Sequence, residues 1–273
     1  MQRPSYSLEV FPANSPVASK KFWQSITVFK QLQPEFYSIT ANPANQMDGS
    51  VRTIANRIKQ TTAVEIAAHM VLGDCSPEIL SQIARSYWDA GIKHIVALRG
   101  DDPSVYAGKE RYARELVEIL LRVAPFDISV AGYPEKHPQA STLDSDIDNL
   151  KSKVDAGAKR VITQLFFDPD VFLKFRDMAC RRGVNTQIVP GLLPIINFGK
   201  LVKFAKKCGA NVPAFLLKMF SGGDELDHKL LAMNVLSHQI TKLTLHGVRH
   251  IHFYTLNNTL LTSQVCRWLE IAF

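Results

Sequence analysis

The stretch Trp88-Asp89-Ala90-Gly91-Ile92-Lys93-His94-Ile95-Val96-Ala97-Leu98 decides the fold. Its first residues close a run of helical period that opens at Ser76-Pro77-Glu78, where a capping serine precedes a proline at the first helical position. Gly91 then supplies the left-handed residue that ends a helix, and His94 to Leu98 is an apolar run with the length of a buried strand. The same order returns at Val154-Asp155-Ala156-Gly157-Ala158-Lys159-Arg160-Val161-Ile162. Gly183 and Gly247 hold the same place before two further apolar runs. Helix, glycine, buried strand is the repeating unit of a parallel sheet with right-handed crossovers.

Working outward from this unit, strands are expected near Ser7 (SLEVF), Phe36 (FYSIT), Glu65 (EIAAHM), His94 (HIVAL), Ile128 (ISVAG), Arg160 (RVITQLF), Gln187 (QIVPG) and His250 (HIHFY). The first three intervals are 29 residues each, the next three 34, 32 and 27, and the last 63. Eight such units close into an α/β fold, a (β/α)8 TIM barrel. The long last interval is expected to hold extra helices between strands 7 and 8, at Pro213 to Met219 and Glu225 to Leu245. An open doubly wound sheet is the competitor, but it usually carries G-x-G-x-x-G after its first strand, and that string is absent. No linker or low-complexity tract divides the chain, so residues 1–273 are expected to form one barrel domain.

With 46% hydrophobic residues in a chain of 273, the core can be large, which excludes disorder. The 32 basic against 25 acidic residues leave a charge of +7. That favours an anionic partner without choosing among nucleic acid, a phosphorylated cofactor and a polycarboxylate. Cys75, Cys180, Cys208 and Cys266 stand far apart, which argues against a disulfide framework or structural zinc and fits a reducing compartment. The polar start at Met1 to Tyr6 lacks the apolar stretch of a secretion signal, and no apolar run has the length of a membrane span. A soluble cytoplasmic protein is expected.

In a barrel, the polar residues at the C-terminal strand ends carry the chemistry. They are Glu9, Thr40, His69, the Arg99-Gly100-Asp101-Asp102 turn, Tyr133, Gln164 and Tyr254 to Asn257. Glu9 shares a strand face with Ser7 and Phe11; facing inwards it would be desolvated and its pKa raised, as suits a general acid, whereas the bland alternative is a salt-bridged or rim carboxylate. Asp101 is a second acid or a turn residue, and Gln164 either forks to a heterocycle or bonds backbone. His250-x-His252 reads as a core histidine pair rather than a metal site, since no carboxylate or third histidine adjoins it. No lysine sits centrally in an expected strand, which argues against Schiff-base chemistry. Lys200, Lys203, Lys206 and Lys207 read as a solvated helix face rather than a nucleic-acid site.

Several strings, in order and at matching spacing from Ser7 to about Asn257, resemble the bacterial, single-domain methylenetetrahydrofolate reductase family. They include Leu8-Glu9-Val10-Phe11-Pro12, Ile92 through Asp101, Phe126 through Glu135, Lys153-Val154-Asp155-Ala156-Gly157-Ala158, Ile162-Thr163-Gln164, Pro190-Gly191-Leu192-Leu193-Pro194 and His252 through Asn257. The resemblance implies a barrel binding FAD at its C-terminal strand ends and reducing 5,10-methylenetetrahydrofolate to 5-methyltetrahydrofolate, with NADH or NADPH as co-substrate in a ping-pong sequence. It implies a place in one-carbon metabolism feeding methionine synthesis, and self-association.

By the same resemblance, Glu9 and Asp101 are the catalytic residues: Glu9 protonates folate N10, and Asp101 contacts the pterin beside the flavin. Thr40, His69, Arg99, Gly100, Asp101, Tyr112, Ala113, Tyr133, His137, Ala140, Asp146, Asn149 and Lys153 match FAD-contacting positions. Asp101, Gln164, Lys200 and Phe204 match the substrate region, although Leu201 and Phe204 also form an apolar i, i+3 pair that packing alone would explain. The chain departs from the family pattern at Ser152, Lys200 and Asn258, which stand where arginine, glutamine and arginine are usual, and at Ala41-Asn42-Pro43. These departures leave open a flavin-independent reductase, and a lapsed barrel that binds a partner is the remaining alternative.

Overall fold

The computed structural model describes residues 2–13, 15–100 and 111–273. Its strands are β1 (Ser5–Val10), β2 (Phe36–Ile39), β3 (Glu65–Val71), β4 (His94–Leu98), β5 (Asp127–Gly132), β6 (Arg160–Thr163), β7 (Gln187–Val189), β8 (Gly191–Leu192) and β9 (His250–Tyr254). All paired neighbours are parallel and run in the order β7-β6-β5-β4-β3-β2-β1-β9-β8. The expected seventh strand is present in two pieces, because Pro190 has no N–H for the ladder. β7 pairs with β6 and β8 with β9, and the Pro190 carbonyl accepts from the His252 N–H at 3.0 Å, so the break closes the ring into an eight-membered barrel. β6 is shorter than the apolar run Arg160 to Phe166 suggests; Leu165 and Phe167 instead enter a separate apolar cluster outside the barrel.

Helices α1 (Pro16–Phe29), α2 (Pro43–Met47), α3 (Ser50–Thr62), α4 (Pro77–Asp89), α5 (Ala113–Val123), α6 (Leu143–Asp155), α7 (Pro169–Arg181), α8 (Phe198–Cys208), α9 (Ala214–Met219), α10 (Glu225–Leu245) and α11 (Thr259–Ala272) surround the sheet. Both openings read from the sequence are capped as expected: Ser76 accepts from the Ile79 N–H and Asp168 from the Asp170 N–H, each with a following proline. Gly91 and Gly157 have φ of +76° and +117°, which explains why the echo between the two units is centred on glycine. The extra helices α9 and α10 fall where the long last interval placed them, with α8 preceding them.

The main core lies between sheet and helices, where Leu8, Val10, Ile39, Ala68, Met70, Ile95, Val130 and Phe253 meet the apolar faces of the helices. The space inside the barrel is different. Among the described residues, Phe36, Ala67, Val96, Ile162 and the partly buried Leu98 form a small apolar cluster there. The rest is filled by Ser7, Ser38, His69, His94, Ser129, His250 and His252, all buried and hydrogen-bonded, where branched aliphatic layers are the rule.

Candidate functional site

The alternation of β1 and its register on β9 place three pairs in successive layers: Ser5 opposite His250, Ser7 opposite His252, and Glu9 opposite Tyr254. Glu9 thus occupies the layer nearest the C-terminal mouth, as its sequence position implied. It is 7% exposed, with Oε2 at 3.5 Å from His69 Nε2 and 3.8 Å from His252 Nε2. Burial raises its pKa from 4.5 to about 7, against the opposing pull of His69. Burial also keeps His69 neutral, with a pKa of about 4, and His252 neutral, at about 3, helped by the positive charge of Arg160. Near neutral pH the group is therefore a carboxyl on the edge of ionisation between two uncharged imidazoles.

The backbone at Glu9 is fixed from β9. Thr255 Oγ1 donates to the Glu9 carbonyl at 2.6 Å. Asn257 donates through Nδ2 to the Phe11 carbonyl at 2.9 Å, and its Oδ1 accepts the Phe11 N–H at 3.0 Å. These two residues of the Tyr254 to Asn257 segment hold the end of β1. Asn258 is likewise engaged, accepting from the Leu260 N–H as the N-cap of α11.

At the same end of the barrel, above β4 and β5 and against α6, lies a cleft of about 450 Å³. Arg99, Gly100, Tyr112, Ala113, Tyr133, His137, Ala140, Asp146, Asn149 and Lys153 all line it. Thr40 and His69, also expected at the cofactor, lie at the same end of the barrel but outside the cleft lining. Asp101 lies outside the described residues. The cleft gathers cations: Arg99 donates to Gln139 Oε1, and Lys153 Nζ donates to the Ala131 carbonyl at 2.6 Å. Burial lowers the Lys153 pKa to about 8, with Arg99 adding to the effect and Asp146 opposing it. Asp146 accepts the His137 N–H at 2.8 Å, and the Tyr133 and His137 rings meet edge to face at 4.6 Å.

Gln164 borders a smaller recess on the other side of Tyr133, with its Oε1 accepting the Leu165 N–H at 2.8 Å. Next to it, Gly191 N–H donates to Thr163 Oγ1 at 3.0 Å, while the Tyr254 hydroxyl donates to the Thr163 carbonyl at 2.6 Å. A Cβ on Gly191 would lie 2.1 Å from that carbonyl and 2.5 Å from the Tyr254 ring, so only glycine fits there. Lys200 and Phe204 sit on α8, outside both cavities, and both are exposed. Leu201 is buried, but Phe204 is 40% exposed, so the pair does not share one packed face.

The cleft also contains Gln139, Ser141 and Ser145, which the strand-end rule misses because they lie on the loop and first turn after β5. The sequence signal that could have found them is the capping box that opens α6, in which Thr142 and Ser145 satisfy each other's N–H groups. Ser152 lines the cleft too, donating to the Asn149 carbonyl at 2.8 Å.

Comparison with known proteins adds an independent line. The family model described as Methylenetetrahydrofolate reductase matches residues 1–270. The 5,10-methylenetetrahydrofolate reductase of Escherichia coli (strain K12) is 41% identical over 267 residues, covering 97% of this chain and 90% of that protein. That of Pectobacterium carotovorum subsp. carotovorum is 40% identical over 271 residues, covering 98% and 91%. Among solved structures, an uncharacterized protein from Clostridium thermocellum that binds two copies of 5-methyl-5,6,7,8-tetrahydrofolic acid superposes with a TM-score of 0.73 over 97% of this chain and 96% of that one. At 15% identity that likeness speaks for the barrel alone. The match over nearly the whole length, together with the bacterial relatives at 40% identity and above, shows that the chain belongs to the methylenetetrahydrofolate reductase family.

Proposed function

We propose that the chain reduces 5,10-methylenetetrahydrofolate to 5-methyltetrahydrofolate with NADH or NADPH through bound FAD, the two half-reactions alternating in one site. The observation that carries the reading is Glu9, a buried carboxyl held protonated to about pH 7 at the end of the barrel where a cationic cleft opens. A dinucleotide diphosphate suits that cleft, because Arg99 and Lys153 line it and a bound anion would offset the burial that lowers the Lys153 pKa to about 8. Tyr133, His137, Asp146 and Asn149 would hold the remaining polar edges. Bound there, FAD supplies a two-electron carrier between nicotinamide and folate.

The protein's part is proton chemistry. Glu9 donates its proton to folate N10 as the bond from N10 to the methylene carbon breaks and its electron pair returns to N10. The iminium left on N5 then accepts hydride at that carbon. A carboxyl with a pKa near 7 is strong enough to donate and still protonated when substrate arrives. Gln164, at the neighbouring recess, and Phe204, exposed on α8, would bracket the bound ring, and Asp101 would contact the pterin.

The chain is expected to act in one-carbon metabolism feeding methionine synthesis, in the cytoplasm and as a homo-oligomer. No helix among the described residues is long and apolar enough to cross a membrane. The test is spectral and kinetic. Purified protein should be yellow with FAD, and Glu9→Gln should keep NAD(P)H-driven flavin reduction while losing roughly 10²-fold or more of methylenetetrahydrofolate reduction. A colourless protein that still reduces the folate would establish direct hydride transfer instead, the outcome for which Ser152 in place of arginine provides a reason.

A further inference from the structure

The net charge of the chain is concentrated in one stretch. Residues 178–223 hold seven basic side chains and no Asp or Glu, which equals the +7 of the whole sequence. Arg182 is paired with Asp144 and Asp148. The lysines of α8 are not neutralised in this way. Among the described residues, Lys200, Lys203, Lys206 and Lys207 have no side-chain hydrogen bond or ion pair, and all four are exposed. On other helices Lys151 is met by Asp155 and Lys229 by Glu225. Lys200 also stands in the first turn of α8, where a cation opposes the helix dipole, and that turn holds no acid. The first turns of α6 and α10 each carry two acids. A local rule broken with no partner to offset it marks a functional position.

Helical spacing ties this charge to the proposed substrate site. Lys200, Phe204 and Cys208 follow one another at i, i+4 and i+8 along one side of α8. Cys208 lines the recess that Gln164 and Tyr133 also border, and Phe204, one turn away, is 40% exposed. Lys203 and Lys207 lie beside this line, at i+3 and i+7 from Lys200. A ligand whose ring sits at the recess therefore has cations alongside it over the about 12 Å from Cys208 back to Lys200. We propose that Lys200, Lys203 and Lys207 bind the phosphates of the nicotinamide dinucleotide and make NADPH, with its additional phosphate, the preferred co-substrate.

The inference rests on the chain being a nicotinamide-dependent flavin reductase. Three observations favour these phosphates over other anions. The row contains lysine alone, and residues 183–223 have no arginine. A planar carboxylate such as the folate's is best met by the arginine fork, whereas a lysine ammonium meets phosphate as a point charge. The number of cations also fits: a diphosphate brings about two negative charges, and a phosphate monoester adds nearly two more at pH 7. Finally, the diphosphate of FAD has its own cations, Arg99 and Lys153, in the cleft on the other side of Tyr133, so the α8 row is left for the second nucleotide.

The test is the flavin half-reaction of the holoenzyme, followed anaerobically by stopped flow with NADH and with NADPH. NADPH should half-saturate the enzyme at a concentration roughly tenfold or more below that of NADH, and the gap should narrow as salt is raised. Lys203→Gln and Lys207→Gln should each reduce the preference about threefold, the worth of a screened surface charge, and Lys203→Glu should reduce it further. These positions are exposed, so the variants are expected to fold as the parent does. Equal half-saturation by the two nucleotides in the parent would overturn the proposal. An unchanged ratio in the triple variant Lys200→Gln, Lys203→Gln and Lys207→Gln would do the same. If that variant instead needs more methylenetetrahydrofolate for half-saturation while the nucleotide ratio stays fixed, the row belongs to the folate's carboxylates and the proposal is wrong. If neither nucleotide reduces the flavin, the reductase reading itself fails, and the proposal with it.

Discussion

Glu9 Oε2 and His69 Nε2 stand 3.5 Å apart in a buried layer of the barrel, and near neutral pH neither carries a full charge. The ordinary order of their pKa values is reversed: the carboxyl is raised to about 7 and the imidazole lowered to about 4. Desolvation is the leading cause in both cases. A conventional ion pair is therefore absent over most of the physiological range, and the carboxyl keeps the proton that its proposed role requires.

The kinetic consequence has a definite sign. Methylenetetrahydrofolate reduction needs protonated Glu9, so its rate should fall as pH rises through about 7, with a single-proton limb. His69→Leu replaces a polar neighbour 3.5 Å from the carboxyl by an apolar one and deepens the desolvation that raises the Glu9 pKa, so it should move that limb to higher pH. Stopped-flow measurement of the folate half-reaction across pH 5.5–8.5 checks both. A limb in the same place in His69→Leu would show that the pair is not coupled.

Stability should respond to pH through the same interior. His69, His94, His250 and His252 are held at about 4, 3, 4 and 3, whereas an unfolded chain takes up protons near 6.5. As pH falls below 6.5 the unfolded state binds protons that the native state refuses, and stability is lost. Glu9 acts in the opposite sense between 4.5 and 7, since the native state keeps a proton that the unfolded chain has released. Four groups outweigh one, so urea unfolding should show stability declining from pH 6.5 towards pH 5, by up to about 4 kcal/mol per pH unit. His250→Gln should reduce the slope by about 1 kcal/mol per pH unit.

The cleft makes a prediction about cofactor retention. Lys153 combines burial with a neighbouring Arg99, and an anion between them would restore its full charge. Lys153→Met should weaken FAD binding by roughly 10- to 100-fold, the worth of a charged hydrogen bond. Ser152→Arg should tighten it by a few-fold, since Ser152 lines the same cleft. Flavin fluorescence on dilution, at two salt concentrations, measures both; an unchanged affinity in Lys153→Met would place the diphosphate elsewhere.

What the sequence made legible followed from local rules. Ser76, Asp168, Gly91 and Gly157 act within a few residues of themselves, so helix starts and strand entries could be read directly. Glu9 was legible because period-two alternation puts it on one face with Ser7. The break at Pro190 was hidden because its effect depends on which neighbour needs the missing N–H. His250 and His252 were legible as core histidines, but their serine partners were hidden for the same reason: the contact between Ser7 and His252 spans 245 positions and exists only once β1 and β9 are in register. Asn257 reads from sequence as a polar strand-end residue and Asn258 as a departure from the family's arginine; that one bonds the backbone of β1 and the other caps α11 depends on contacts the sequence does not display.

Asn257 gives the last prediction. Its side chain meets both the N–H and the carbonyl of Phe11, two residues after Glu9, and its own backbone is left-handed at φ +55°. Asn257→Ala removes both bonds, leaves two half-buried backbone groups unpaired and places a Cβ-bearing residue without asparagine's local compensation in that conformation. The expected cost is about 2–4 kcal/mol. Asn257→Gly relieves the conformational part only, so the difference between the two variants isolates it. Asn257→Asp keeps the acceptor for the Phe11 N–H but loses the donor to its carbonyl, and should fall between them and the parent. If the clamp positions the acid, the folate half-reaction should slow in proportion to the bonds lost, with flavin reduction unaffected. Equal loss in both half-reactions would mean that Asn257 supports the barrel as a whole and not the placement of Glu9.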